Sequence, residues 1–325
     1  MHIPDGFLDA KTAIATGAFS LAGLGSALRH AGRHLPVLKI PLIGLAGAFI
    51  FVAQMLNFPV AGGTSGHLLG STFAAILLGP SAAIIVMSSV LIVQALIFAD
   101  GGILALGANI FNMAIIAPLF GFITYRGLRF FLKGEQGRLV AAGVASWFAT
   151  VVAAIFCAGE LAWSGTVDWS GAFPAMAGVH MLTGLGEAII TMLVIAAISS
   201  MRPELLIDSD DAKATNGGRS FAFISGSILV IGLLLLVAPH ASQMPDALER
   251  IAVSLGFKHK EVANPFIPSP LRDYHVPGIH SLEAATILAG LIGAVGVFAF
   301  SYILARVLAP RVKPPSSSAA SSNRQ

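Results

Sequence analysis

The sequence predicts an all-α, polytopic integral membrane protein, and its composition and hydropathy pattern are the observations behind this prediction. Hydrophobic residues make up 56% of the 325 residues and charged residues only 11%, whereas an ordinary soluble domain has about 25% charged residues. A soluble protein of this composition would have too few polar side chains to cover its surface, but lipid tails solvate Leu, Ile and Phe well. The 35 glycines also suit closely packed membrane helices.

Nine apolar stretches are candidates for membrane spans, because about 20 apolar residues in a helix cross the hydrocarbon core. They cover residues 12–29, 36–56, 67–79, 81–98, 103–125, 139–160, 173–199, 220–238 and 281–306. The third stretch is short and ends at Gly79-Pro80, so we expect a half-span or a steeply packed segment there. An odd number of crossings places the two termini on opposite sides of the membrane.

The distribution of Lys and Arg predicts the orientation, since cytoplasmic loops are enriched in basic residues. With the N-terminus outside, the inside segments hold most of the Lys and Arg residues, and most of the others lie in or near one long outside loop at 239–280. We therefore expect the C-terminus in the cytoplasm of a bacterial cell. Residues 1–10 lack the basic region of a signal peptide, so the mature chain is expected to begin at Met1.

A polar segment at 203–219, PELLIDSDDAKATNGGR, divides the chain. It is rich in Asp, Gly and small residues, which predicts a cytoplasmic linker. The sequence before it, residues 1–202, is expected to form a seven-span core. Residues 220–310 are expected to form a two-span module with the long outside loop, and the low-complexity tail 311–325 is expected to be disordered.

Several classes of function are disfavoured. The basic residues form no patch interleaved with aromatic residues, which argues against nucleic-acid binding. The single cysteine, Cys157, excludes a disulfide framework. The sequence has no Gly-rich phosphate loop followed by Lys, so the chain is not expected to hydrolyse ATP, and it has no His-Glu-x-x-His motif of a zinc protease.

The first candidate site is the N-terminus, which reads MHIPDGF. The α-amine of Met1, the backbone nitrogen of His2 and the His2 imidazole can bind one metal ion through fused small rings. The amide must lose its proton, which Ni²⁺ and Cu²⁺ promote, and three nitrogens in one plane favour a square-planar ion. Methionine removal requires a small second residue, so Met1 is expected to stay, while Pro4 and Gly6 favour a turn. The alternative is a disordered start with an incidental histidine.

The second candidate is the Gly-rich stretch 57–67, which reads NFPVAGGTSGH. Irregular backbone at membrane depth is tolerated only where protein or a cavity surrounds it. His67 supplies an imidazole at its end, and together with the N-terminus it offers four nitrogens on the outer side. Histidine is the commonest metal ligand near neutral pH. The alternative is an outside loop with a surface histidine.

Polar residues within apolar spans form a third group. They are Gln54, Gln94, Asn109, Asn112, His180 and Glu187. Such residues often mark a transport pathway, although interhelical hydrogen bonds of about 1 kcal/mol each are an equal alternative. The residues that we predict to line a pathway or support the metal ligands are Gln54, Asn57, Ser65, Asn109 and Glu187. Asp100-Gly101-Gly102 predicts a loop turn.

Histidines in the outside loop could form a metal-collecting surface. They are His240, His259, His275 and His280. Their spacing matches no site geometry, which favours a plain solvated loop.

Several long motifs occur in the first part of the chain: MHIPDG at 1–6, QMLNFP at 54–59, GGTSGHLLG at 62–70, and DGG at 100–102 followed by LALGAN at 104–109. Together they resemble the CbiM/NikM family, the cobalt and nickel specificity subunits of energy-coupling-factor transporters. The resemblance covers about residues 1–200. In the C-terminal module, PDALER at 245–250 resembles the Pro-Asp-Gly-Leu-Glu signature of the small NikN-like accessory subunit, with Ala247 in place of the Gly, and NPF, SPL and DY at 264–266, 269–271 and 273–274 continue the likeness.

The resemblance implies a metal site built from the Met1 amine, the His2 amide nitrogen, the His2 imidazole and the His67 imidazole. It also implies a transmembrane coupling subunit and ATP-binding subunits as partners, with lipid around the chain. No cofactor is expected, because Ni²⁺ or Co²⁺ is the transported ion, and the planar nitrogen set favours nickel.

The sequence therefore predicts a subunit for uptake of Ni²⁺ or Co²⁺ rather than an enzyme. One alternative is a secondary metal–proton transporter that works alone, with Glu187 and His180 as its proton relay. Another is an intramembrane enzyme, but the sequence offers no convincing acid–base or nucleophile pair at membrane depth.

Overall fold

The computed structural model describes residues 1–60, 63–206, 216–242, 244–262 and 267–309, without the side chains of residues 204 and 216–222. Its helices are α1 (Ala10–His34), α2 (Ile40–Met55), α3 (Ser71–Leu78), α4 (Pro80–Val93), α5 (Leu106–Asn109), α6 (Ala117–Phe131), α7 (Gly134–Trp163), α8 (Trp169–Met201), α9 (Asn216–Gly232), α10 (Ala247–Ser254) and α11 (Leu282–Leu308). Wider turns extend α4 to Phe98 and join α5 to α6. The two short strands are β1 (Phe58–Val60) and β2 (Thr64–Gly66).

Seven helical segments in the described ranges are long and apolar enough to cross a membrane. They are Val37–Met55, Pro80–Phe98, Leu106–Phe131, Gly134–Trp163, Trp169–Met201, Phe223–His240 and Leu282–Leu308. Each overlaps a predicted span, and the all-α polytopic class is confirmed. The other two predicted spans correspond to α1, which is long but less apolar, and to α3, which is short. With 8 residues, α3 is too short to cross a bilayer, as its sequence predicted.

The polar face of α1 explains its lower hydropathy. Its buried residues are Thr12, Thr16, Ser20, Ala27 and Ala31, whereas Ile14, Phe19 and Leu21 are exposed. This is the reverse of the pattern of a helix on a soluble protein. Ser20 Oγ donates to the Gly107 carbonyl at 2.6 Å, so α1 directs hydrogen-bonding groups inward and apolar groups towards lipid.

The C-terminal helix α11 packs along α2 of the core. The contact is close because a side chain on Gly47 would lie only 2.9 Å from Ser301 Oγ and 3.1 Å from Val297. Small residues at such crossings let membrane helices approach closely. The two predicted modules are therefore in direct contact within the membrane-spanning part.

Two loops contain structure that the sequence did not predict. The Gly-rich stretch forms an antiparallel hairpin, in which Phe58 pairs with Gly66 and Val60 with Thr64. The outside loop contains α10, whose N-terminus is capped by Asp246. Most of the predicted linker, at 207–215, and the predicted tail, from residue 310 on, lie outside the described residues.

Candidate metal centre

The structure brings Met1, His2 and His67 together. The α-nitrogen of Met1 lies 2.9 Å from His67 Nε2. The rings of His2 and His67 stack with their centroids 5.1 Å apart. Met1 and His2 are buried, and His67 is partly buried. The three residues that carry the proposed nitrogen donors are therefore neighbours in the structure, although His67 is more than sixty positions from Met1 in the sequence.

The N-terminal segment is held in place by the loop before α5 and by α5 itself. Asn109 makes two hydrogen bonds to Ile3: its Oδ1 accepts from the Ile3 N–H at 2.8 Å, and its Nδ2 donates to the Ile3 carbonyl at 3.0 Å. The Gly102 N–H also donates to that carbonyl at 2.8 Å. Gly101 adopts φ +90°, and a side chain there would lie 3.3 Å from His2 Cβ. The first residues are therefore an ordered part of the fold.

His67 is oriented by its own loop and by two spans. Its Nδ1 lies 3.1 Å from the Leu68 carbonyl, so Nδ1–H donates and Nε2 keeps the free lone pair. The Glu187 carboxylate in α8 accepts hydrogen bonds from the N–H groups of Leu69 and Gly70, the latter at 2.9 Å. Gln54 Nε2 in α2 donates to the Leu69 carbonyl at 2.7 Å. Gln54 and Glu187 thus fix the loop that carries His67.

Both ring nitrogens of His2 face acceptor oxygens. Nδ1 lies 3.2 Å from Asp100 Oδ1, and Nε2 lies 3.2 Å from Gln94 Oε1. A chelate ring that includes the His2 amide nitrogen uses Nδ1, so metal binding would replace the Asp100 contact and leave Nε2–H to donate to Gln94. The His2 amide N–H itself donates no hydrogen bond to any described residue, and its nitrogen is therefore available as a ligand.

Burial favours the neutral form of both imidazoles. It lowers the pKa of His2 from its ordinary 6.5, and the nearby Asp100 carboxylate offsets only part of this effect. Burial, together with the neighbouring Met1 ammonium and His2, lowers the pKa of His67 well below 6.5. The neutral imidazole is the form that binds metal ions, so burial favours the metal-binding form of both rings.

The C-terminal module reaches into this site. Asp246 Oδ2 accepts a hydrogen bond from the Met1 ammonium at 2.9 Å. The Ser65 N–H donates to the Pro245 carbonyl at 2.9 Å, and Ser65 Oγ donates to the Met244 carbonyl at 2.7 Å. Burial would raise the pKa of Asp246, but the ammonium and the hydrogen bonds outweigh burial and hold it below its usual range. Ser65 therefore docks the accessory loop.

A cavity of about 430 Å³ lies between the core and the outside loop of the C-terminal module. Residues from both parts line it, including His2, Gln54, Asn57, His67, Asp100 and Asp246. The Asn57 carbonyl accepts from the Ser242 N–H at 2.8 Å, which ties one wall to the other. The proposed donor residues His2 and His67 therefore lie in the wall of this cavity.

Other polar residues lie outside this nitrogen cluster. His180 Nδ1 donates to the Met176 carbonyl at 2.8 Å, and Asn112 Nδ2 donates to Glu160 at 2.6 Å. The four outside-loop histidines are exposed, which agrees with a solvated loop. Within the described residues, no three His, Cys, Asp or Glu side chains form a metal cluster.

Sequence reasoning missed three residues around the site. Asp100 was predicted only as part of a turn, and neither Asp246 nor Tyr274 was assigned a role. Tyr274 OH donates to Asp100 Oδ2 at 2.5 Å. All three occur in motifs that the resemblance had already marked, which was the available signal.

Comparisons with known proteins agree with this architecture. Residues 2–205 match the CbiM model, described as the cobalt uptake substrate-specific transmembrane region, and residues 220–310 match the PDGLE domain. The chain is 39% identical to a putative fused nickel transport protein NikMN of Archaeoglobus fulgidus, over 94% of this chain and 98% of that protein. It is 37% identical to the fused nickel transport protein NikMN of Rhodobacter capsulatus, over 63% of this chain and 64% of that protein.

A solved structure of a transition metal transporter is also similar, with a TM-score of 0.58 and 31% identity, covering 69% of this chain and 99% of that one. The matched CbiM family and the relatives named here are metal transport proteins rather than enzymes, so an intramembrane enzyme is no longer an alternative. The chain is a membrane protein of metal transport that belongs to the CbiM family and has a PDGLE domain at its C-terminal end.

Proposed function

We propose that the chain is the substrate-binding membrane subunit of an ATP-driven energy-coupling-factor importer for Ni²⁺ or Co²⁺. The observation that carries the proposal is the 2.9 Å approach of the Met1 α-nitrogen to His67 Nε2, beside a His2 whose amide and ring complete a chelate. Four nitrogen donors of this kind suit a late first-row divalent ion. The names of the relatives, which refer to nickel and cobalt, support the same class of ion.

Nickel is the favoured substrate of the two. A deprotonated amide, an amine and two imidazoles in one plane suit square-planar Ni²⁺ better than Co²⁺. Cu²⁺ would bind such a set at least as tightly, so selection against copper rests partly on the availability of each metal. The donor set thus predicts nickel binding with a planar geometry.

The chain is proposed to lie in the cell membrane with its N-terminus outside and its C-terminus in the cytoplasm. In this orientation the cavity and the nitrogen cluster face the outside, where the ion is captured. The partners are a transmembrane coupling subunit and ATP-binding subunits, because the sequence has no phosphate loop of its own. Capture takes place in this chain, and the energy for inward delivery comes from those partners.

Uptake of radioactive nickel by cells without their own nickel importer tests the proposal. We expect uptake when the chain is produced with its coupling and ATP-binding subunits, and none when the phosphate-loop Lys of the ATPase is replaced. Uptake by the chain alone would instead support the proton-coupled carrier. In that alternative Glu187 would carry protons. In the structure its carboxylate accepts hydrogen bonds from the Leu69 and Gly70 N–H groups, which favours a structural role.

A further inference from the structure

The carboxylate of Asp246 links the C-terminal module to the nitrogen atom that begins the chain. Its Oδ2 lies 2.9 Å from the Met1 α-nitrogen, and its Oδ1 accepts from the Glu249 N–H at 2.7 Å and thereby caps α10. Asp246 is thus held from its own side by the helix that it caps. It lies 245 positions from Met1 in the sequence, so the contact exists only because the two modules dock.

The docking itself fixes the position of this carboxylate. Ser65 of the core, two residues before His67, uses both its N–H and its hydroxyl to bind the backbone immediately before Asp246. On the opposite side, the Val262 N–H donates to the Asp5 carbonyl at 2.9 Å. The accessory loop is therefore attached to both segments that supply the proposed ligands.

A second contact leads from the module to the other end of the chelate. Tyr274 OH donates to Asp100 Oδ2, and the other oxygen of Asp100 faces His2 Nδ1 at 3.2 Å. Gln94, which faces His2 Nε2, also donates to Tyr274 OH at 3.3 Å. The module thus contacts the α-amine directly, through Asp246. It contacts the His2 ring indirectly, because Tyr274 hydrogen-bonds to Asp100 and Gln94, which face that ring.

We infer that Asp246 is a positioning residue of the metal site, and that the C-terminal module thereby sets the affinity of the core for its ion. The inference rests on the proposed metal site. When the amine binds a metal ion it still carries two hydrogens, and Asp246 Oδ2 is placed to accept one of them. Carboxylates that accept hydrogen bonds from metal ligands orient those ligands and make them better donors, and their loss typically weakens metal binding about 10–100-fold.

Two substitutions of Asp246 separate this role from that of a helix cap. Asn and Ser are both good N-cap residues, so Asp246→Asn and Asp246→Ser should keep α10 folded. Asn keeps one acceptor oxygen but loses the charge, whereas Ser is too short to reach the amine. Glu249→Gln is the matched control, because it removes a carboxylate from the same helix. That carboxylate pairs with Lys258 at 2.7 Å rather than with Met1.

The measurement is the Ni²⁺ dissociation constant of the full chain in detergent, by competition titration, with the melting temperature of the metal-free protein alongside. We expect about 10–100-fold weaker binding for both Asp246 variants, with Ser at least as weak as Asn. Their metal-free melting temperatures should fall, because the buried Met1 ammonium loses its partner, but both variants should still unfold cooperatively. Glu249→Gln should bind like wild type.

The outcomes distinguish this inference from the proposed function. If wild type binds nickel and His67→Ala does not, but both Asp246 variants bind like wild type, the metal site stands and the role of Asp246 is wrong. Equal weakening in Glu249→Gln would also overturn it, because the effect would then reflect the total charge of the loop. Absence of nickel and cobalt binding by wild type would instead overturn the proposed function.

Discussion

At the scale of single residues, the site depends on which nitrogen of each histidine is free. His67 Nδ1 is committed to the Leu68 carbonyl, so Nε2 is directed at the Met1 amine. The lone pair that a metal ion needs is thus presented where the chain begins. Burial lowers the pKa of both imidazoles and so favours the neutral form that binds metal ions.

His67→Ala should abolish high-affinity nickel binding and leave the protein folded. It removes one of four proposed donors, and the described residues offer no separate group of three or more His, Cys, Asp or Glu side chains that could hold the ion. Isothermal titration on the purified protein measures the effect. His259→Ala, which removes an exposed outside-loop imidazole, should bind like wild type. Tight binding retained by His67→Ala would contradict the assignment of His67.

The residues of the proposed chelate could be named from the sequence, whereas several of the residues that contact them could not. Met1 and His2 are adjacent, so their chelate follows from local chemistry, and a long motif marks His67. Asp246 and Tyr274 act on Met1 and Asp100 across more than 170 sequence positions. These contacts form only because one module docks on the other, and such long-range contacts cannot be predicted from a local sequence pattern.

At the scale of elements, the loop between the hairpin and α3 is fixed by hydrogen bonds from two helices, α2 and α8. Gly70 adopts φ +75° at the start of α3, and the N–H groups of Leu69 and Gly70 would be left unpaired at this turn. Glu187 in α8 accepts from both, and Gln54 in α2 donates to the Leu69 carbonyl. The geometry of His67 thus depends on the packing of α2 and α8.

Glu187→Gln should weaken nickel binding without abolishing it, and should lower the free energy of unfolding. The Gln amide can accept from one of the two N–H groups but presents a donor to the other, and an unsatisfied buried donor costs about 1–3 kcal/mol. Glu283→Gln, at an exposed position in the first turn of α11, is the control and should change neither quantity.

A proton relay predicts a different result for the same variant. If Glu187 carried protons, Glu187→Gln would bind nickel with wild-type affinity and lose uptake. Titration and uptake measured on one preparation therefore separate the two roles.

Helix positions followed from hydropathy, and the non-helical structure did not. The predicted span 281–306 corresponds to Leu282–Leu308, and the predicted short segment corresponds to α3. The hairpin was missed because its strands have 3 residues each, too few for an alternating pattern. Helix α10 was missed because its 8 residues lie in a polar loop and depend on the Asp246 cap.

At the scale of the whole molecule, the C-terminal module contacts the core both between helices and through its long loop. Helices α9 and α11 pack on α2, and the loop docks on Ser65 and Met1. Because Ser65, Met1, α2 and α11 lie outside the predicted linker at 203–219, we expect the modules to associate without the linker sequence.

Cutting the gene within the predicted linker and co-producing the halves should preserve nickel uptake. The halves should also co-purify, because the packing of α11 on α2 remains. A chain whose linker is replaced by a Gly/Ser segment of equal length is the control and should behave like wild type. Halves that fold but neither associate nor support uptake would contradict this view of the two modules.

The central claim is that the first atom of the chain binds the metal ion, and extending the chain at one end or the other tests it most directly. A histidine-free extension of several residues before Met1 turns the α-amine into an amide and moves His2 beyond the third position, so the N-terminal amine and the His2 imidazole can no longer share fused chelate rings. The same residues added after Gln325 change none of the proposed donors. The measurement is the nickel content of the two purified proteins after equal loading. We expect nickel in the C-terminally extended protein and its loss from the N-terminally extended one, whereas equal nickel in both would contradict the N-terminal chelate.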